Sequence, residues 1–127
     1  MSILPQDLLS LADKLLAMPE EPAIRASASR SYYFAYHLCL PVREKLPHSA
    51  GNKPGAHESL IEDLAEFLGD PPEFQMKVRA LGQVLKQCRD GRVRADYRLE
   101  QDFTVADAQW TKQRAVQIQR RVAELVK

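Results

Sequence analysis

Hydrophobic positions across residues 22–46 recur at steps of three or four. Ile24, Ala28, Tyr32, Ala35, Cys39, Val42 and Leu46 fall on one stripe, widened by Tyr33, Phe34 and Leu38. A helix apolar over so wide an arc belongs at the centre of a bundle, with neighbours on several sides. Pro41 lies inside it and is expected to bend the helix or end it early. Four further stretches share the period. Residues 4–18 read as a short amphipathic helix with Leu4, Leu8, Leu11, Leu15 and Leu16 as its apolar edge and Pro5 suited to a first turn. Residues 57–68 offer Leu60, Ile61, Leu64, Phe67 and Leu68. Residues 73–89 offer Phe74, Val78, Leu81 and Leu85, and Asp90-Gly91 is expected to close that helix. Thr104 opens the last helix, with Asp107 three residues on as in a capping box, and Ala108, Ala115, Ile118, Val122 and Leu125 face inward. Residues 47–56 and 92–102 hold no period and read as loops, the second an ordered one. The fold class that follows is all-α: a five-helix up-and-down bundle forming a single domain over residues 1–127.

Composition narrows the function. A formal net charge of +1 argues against a strongly basic nucleic-acid binder, although a local patch remains compatible with it. No apolar run approaches the roughly 20 residues that span a bilayer, so no membrane partner is expected. The first residues carry early acids and no basic region, which is not the pattern of a secretory signal. Cys39 and Cys88 lack metal-ligand spacing and read as reduced thiols of a cytoplasmic protein. The three histidines are too scattered for a zinc site, and no metal or cofactor is implied.

Arg-Ala-Ser-Ala-Ser-Arg-Ser-Tyr-Tyr-Phe-Ala-Tyr-His, from Arg25 to His37, resembles the second-helix signature of small prokaryotic HEPN-domain proteins, roughly R-x-A-x-S-R-A-Y-Y-A-x-F-H. Gly55-Ala56-His57 is similar to the G-x-S-H step that precedes their next helix, with Ala56 in place of Ser. Arg94-Ala95-Asp96-Tyr97 resembles the R-x-x-A-D-Y element before their last helix, matched from Arg92 or Arg94. The likeness spans about residues 8–125. It implies a four- or five-helix bundle that often dimerises, in a family of RNA-cleaving toxins, partners of nucleotidyltransferase-type antitoxins and proteins of unassigned activity. Fold alone does not choose among these.

Active HEPN ribonucleases carry R-x(4–6)-H close to the final helix, where Arg stabilises phosphorane charge and His moves a proton. No His follows His57 in this chain, and Asp96-Tyr97 stands in that region. The same spacing occurs at Arg30–His37 and Arg43–His48. Arg30 and His37 share a face two turns apart, about 10 Å along the axis, and His37 is expected to be an enclosed, hydrogen-bonded structural histidine. The tyrosines at 32, 33 and 36 are expected to pack the core, with base stacking as the alternative. The expected exposed polar set is Arg25, Arg30 and His37, joined by Arg92, Arg94, Asp96 and Tyr97, with Asp96 paired to an arginine of the long helix. The leading expectation is a non-catalytic HEPN-type module that binds a protein partner, RNA or a nucleotide, in a defence or toxin–antitoxin setting. An RNA-cleaving toxin using Arg30/His37 or Arg94/Asp96 is the alternative, and a dimerisation module the third. A homodimer is expected from the family and from the apolar breadth of the long helix.

Overall fold

A computed structural model describes residues 2–47 and 55–126. Five helices follow in order: α1 (Pro5–Leu16), α2 (Glu21–Glu44), α3 (Ala56–Ala65), α4 (Pro72–Tyr97) and α5 (Val105–Leu125). No strand occurs among the described residues, and no helix there is long and apolar enough to cross a membrane.

The central position expected of the long helix is what forms. All seven residues of its stripe are buried, and α2 packs against α1, α4 and α5, and more lightly against α3. Pro41 does not end it early; the helix continues to Glu44. Pro41 is exposed, so the ring and the hydrogen bond it cannot make lie on the side open to water.

Two expectations fail. The first concerns α1, which buries Leu9 and Ala12, packs Leu8 and Leu16 of the apolar edge partly against the core, and leaves Leu4 and Leu11 exposed. Small residues decide this: Ser27 Oγ donates to the Ala12 carbonyl at 2.8 Å, and both residues are fully buried. Ala12 therefore sits in the seam between α1 and α2. Leu68, expected in the core, is likewise exposed beyond the end of α3.

The second concerns α4, which does not stop at Asp90-Gly91 but runs two further turns to Tyr97. Gly91 is buried inside the helix, and a Cβ there would stand 2.0 Å from Thr111 Oγ1 of α5. The glycine is a packing notch, not a stop. Residues 92–97, expected as loop, are helix, and the connection shrinks to residues 98–104. The start of α5 is as expected: Thr104 Oγ1 accepts from the Asp107 N–H at 3.2 Å, and the Asp107 carboxylate accepts from the Thr104 N–H at 2.9 Å. That bond, more than the nearby Arg94, holds Asp107 below the usual carboxylate range. Cys39 and Cys88 are free and fully buried, and burial pushes the Cys88 thiol up to about 12. The 47–56 loop and His48 of the Arg43–His48 spacing fall largely or wholly in residues 48–54, outside the described residues.

Candidate functional site

Three elements converge on one polar cluster: the flank of α2, the first turn of α3, and the two turns of α4 beyond Gly91. Gly55 turns the chain into α3 with φ of +100°, a conformation that disfavours any side chain, and so sets His57 in the first turn. His57 packs among Tyr32, Tyr33 and Tyr36, with ring centroids 5.4, 5.6 and 4.7 Å away. Its Nδ1 lies 2.7 Å from the Tyr32 hydroxyl.

Arg92 is the centre of charge. Its side chain is 9% exposed, and its guanidinium lies 5.2, 5.6 and 5.7 Å from the ring centres of Tyr32, Tyr33 and Tyr97. Among the described residues its one ion pair is long, 3.4 Å from Nη1 to Asp96 Oδ2, and its buried Nε has no acceptor. Asp96 Oδ2 is shared with the Ser29 hydroxyl at 3.2 Å, and Ser29 Oγ accepts in turn from Arg30 at 3.4 Å. Arg30 stacks 4.9 Å from the centre of the Tyr33 ring. Beside them Arg89 pairs with Glu58 at 2.8 Å. Three guanidiniums thus face two carboxylates, which leaves positive charge in surplus around a set of rings.

The field acts on both titrating rings. Burial, then Arg92 and Arg89, hold His57 below the ordinary histidine value, with Glu58 opposing more weakly. Burial drives the Tyr32 phenol far above the tyrosine range, with Arg92 opposing. A protonated phenol therefore meets a neutral imidazole. In the tautomer protonated on Nε2, Nδ1 accepts from the phenol and Nε2–H is left as a donor.

Of the residues marked in the sequence, Arg30, Arg92, Asp96 and Tyr97 are brought together, and the rest are not. Asp96 is tied to Ser29 of the long helix and to Arg92 of its own helix, not to an arginine of α2, because residues 92 and 96 became one helical turn. Arg25, expected to be exposed, is buried. Its Nη1 donates to the carbonyls of Arg94, Ala95 and Arg98 at 3.3, 3.0 and 3.3 Å, its Nη2 donates to that of Gln101, and its Nε pairs with Glu21 at 3.0 Å. It caps the C-terminus of α4. Arg94 points the other way, to Asp107 at 3.3 Å and to the face of Phe103. Arg94 and Asp96 are two residues apart on a helix and so act on opposite sides, which removes them as a joint site. His37 is exposed, not enclosed; it packs its edge on Tyr36 and lines a cleft with Ile3, Leu4, Pro5 and Leu8.

His57 is the member that the sequence pattern does not mark as a site residue. The signal available for His57 was the Gly55-Ala56-His57 step. Among the described residues no group of three or more His, Cys, Asp and Glu side chains is placed to hold a metal ion. Comparison with protein-family models, curated proteins and solved structures finds no match to this chain.

Proposed function

We propose that this chain is a HEPN-type helical module that binds a phosphate-bearing ligand, an RNA or a nucleotide, at the cluster of Arg30, Arg89, Arg92 and His57, without cleaving it. One observation carries the reading: a nine-tenths buried arginine with an unpartnered Nε and a single long, shared carboxylate. Burying a cation is costly unless it is paired and hydrogen-bonded. An anion arriving at the guanidinium of Arg92 would compensate its charge, and phosphate matches the guanidinium fork. His57 Nε2–H adds a neutral donor, and Tyr33 and Tyr97 offer ring faces for a base. A defence or toxin–antitoxin setting, with a nucleotidyltransferase-type partner, is the context that the sequence resemblance implies.

Retention of a single-stranded RNA oligonucleotide, measured by filter binding across a salt series, tests the reading. Arg92→Met and Arg30→Ala are each expected to weaken binding about tenfold and to flatten the salt slope by about one phosphate. Wild-type affinity in both folded variants would sink it. Adenosine triphosphate in place of the oligonucleotide separates a nucleotide from a polymer.

A second reading has its own support. With the imidazole proton on Nδ1, donated to Tyr32, Nε2 carries a lone pair and His57 is a neutral base beside Arg92, the pairing that metal-free RNA cleavage needs. Cleavage of the oligonucleotide by wild type, abolished in a folded His57→Asn, would replace the binder with the nuclease.

A further inference from the structure

We propose that the cleft between α4 and α5, on the side of α4 turned away from the arginine cluster, binds a small organic cation: a primary ammonium on an apolar, ring-bearing body. The cleft measures about 380 Å³, within the range of small-molecule sites. Gly91 and Thr111 close its floor, where a Cβ on the glycine would stand 2.0 Å from the threonine hydroxyl. Phe103, Ala106 and Trp110 make its apolar walls. Trp110 is the single tryptophan of the chain and is 39% exposed. Arg114 covers one face of its ring at 3.9 Å and does not line the cleft, so the indole meets the cleft with its other side.

Charge selects the ligand. Among the described residues three charged side chains line the cleft: Asp90, Arg94 and Asp107. Two of them are spent on each other and on the turn into α5. Asp107 accepts from Arg94 at 3.3 Å and from the Thr104 N–H and hydroxyl at 2.9 and 3.1 Å. Arg94 also donates to the Gln101 side chain and to the Asp102 carbonyl, each at 3.4 Å. Asp90 has no hydrogen bond or ion pair among the described residues. It stands exposed at the rim, one turn before Arg94 on the same face of α4. Its carboxylate is the charge left over, and an ammonium answers it. The indole wall favours the same sign, because an aromatic face attracts a cation. An anion would meet two carboxylates, and an arginine whose three nitrogens already have acceptors. A bare ammonium ion would leave Phe103 and Ala106 uncovered, so the apolar body is part of the recognition.

Phenethylammonium is the probe and Trp110 the reporter, since no other tryptophan contributes to the emission. Titration should give a saturable change in tryptophan emission, with a dissociation constant on the order of 1 mM for so small a molecule. Phenethyl alcohol, of the same size but neutral, should bind roughly fivefold more weakly. Phenylacetate, with the opposite charge, should not saturate. Asp90→Asn should lose about fivefold in ammonium affinity, and most of its salt dependence with it. Ala106→Leu keeps both carboxylates but fills the cleft, and should also lose about fivefold. Both positions are exposed, so the variants test binding rather than folding. Calorimetry measures the same affinities where a substitution alters the emission itself. Phenylacetate binding as tightly as phenethylammonium overturns the proposal. So does equal affinity for the alcohol, an ammonium affinity unchanged in Asp90→Asn or in Ala106→Leu, or no saturable binding by either method.

Discussion

Arg25 and Arg92 are each 7% exposed, and each reaches across the same helix pair, Arg25 from α2 toward α4 and Arg92 from α4 toward α2. Arg25 donates to four backbone carbonyls and pairs with Glu21, and its guanidinium lies over Phe103 at 5.4 Å. Its charge is spent on carbonyls at the end of α4 and in the connection that follows, two of which, those of Arg94 and Arg98, also accept backbone N–H groups. Among the described residues Arg92 has the rings of three tyrosines, one distant carboxylate oxygen and an Nε without an acceptor. Equal burial thus covers opposite uses. A buried charge whose donors all end inside the protein is structure; one left with a single long ion pair beside a polar, ring-lined cluster is where a further anion would gain most.

The largest effect that would break this contrast is on stability. Arg25→Met removes donors from four carbonyls and should cost about 2–4 kcal/mol, with a fall in melting temperature on the order of 10 °C. Arg92→Met replaces a poorly compensated charge with an apolar chain of similar length and should change stability by no more than about 1 kcal/mol in either direction. Urea unfolding of both variants is the measurement. Equal losses would mean that Arg92 is also a structural brace, and the binding reading would lose its support.

A smaller effect sharpens the point, because both arginines depend on α4 continuing past Gly91. Gly91→Ala drives a Cβ into Thr111 and should cost about 1–3 kcal/mol. Thr111→Ala in the same chain removes the Oγ1 and Cγ2 contacts and should recover part of the loss, although Thr111 Cβ still stands 3.1 Å from the added carbon. No recovery would mean that Gly91 serves the helix some other way.

The Gly91 position also marks the boundary of what the sequence discloses. The stripe on α2 is buried as its spacing requires, and the Thr104 cap forms, because both rest on local periodicity and local hydrogen bonding. Asp90-Gly91 has the composition of a helix end. Only the neighbouring Thr111, distant in the chain, makes the glycine a notch, and no local pattern carries that. The misplacement then spread to the site. Read as loop, Arg92, Arg94 and Asp96 looked like one exposed group; as helix, 92 and 96 face α2 while 94 faces α5. The burial of Arg25 is hidden for the same reason: its acceptors are carbonyls at and just beyond a helix end that local composition puts at Asp90-Gly91. His57 was visible as a motif but not as a neighbour of Tyr32, because that contact closes a gap of 25 residues. On α1 the apolar edge is only partly covered: Leu8 and Leu16 pack against the core, while Leu4 and Leu11 stay exposed. Periodicity states that a face is apolar and says nothing of which apolar face meets the core.

The smallest expected effect concerns pH, and it follows from His57. In the folded chain its pKa lies below the ordinary histidine value, about 6.5 in an unfolded chain. As pH falls below that value the unfolded chain takes up more protons than the folded one, so the contribution of neutral His57 to stability, full above it, is progressively lost. A bound phosphodiester changes the balance. Its negative charge, beside a ring held neutral by burial and two arginines, favours the imidazolium and raises the pKa in the complex above that of the free protein. Binding therefore takes up protons, and affinity should rise as pH falls, by roughly two- to fivefold between about pH 7.5 and about pH 5.5. An RNA oligonucleotide is the right probe because its phosphodiesters do not titrate in that range. His57→Asn keeps an acceptor for the Tyr32 hydroxyl but cannot titrate, and its affinity should be flat over the same interval. A wild-type affinity that is also flat, or that falls with acid, would place the phosphate away from His57 and leave Arg30 and Arg92 to hold it alone.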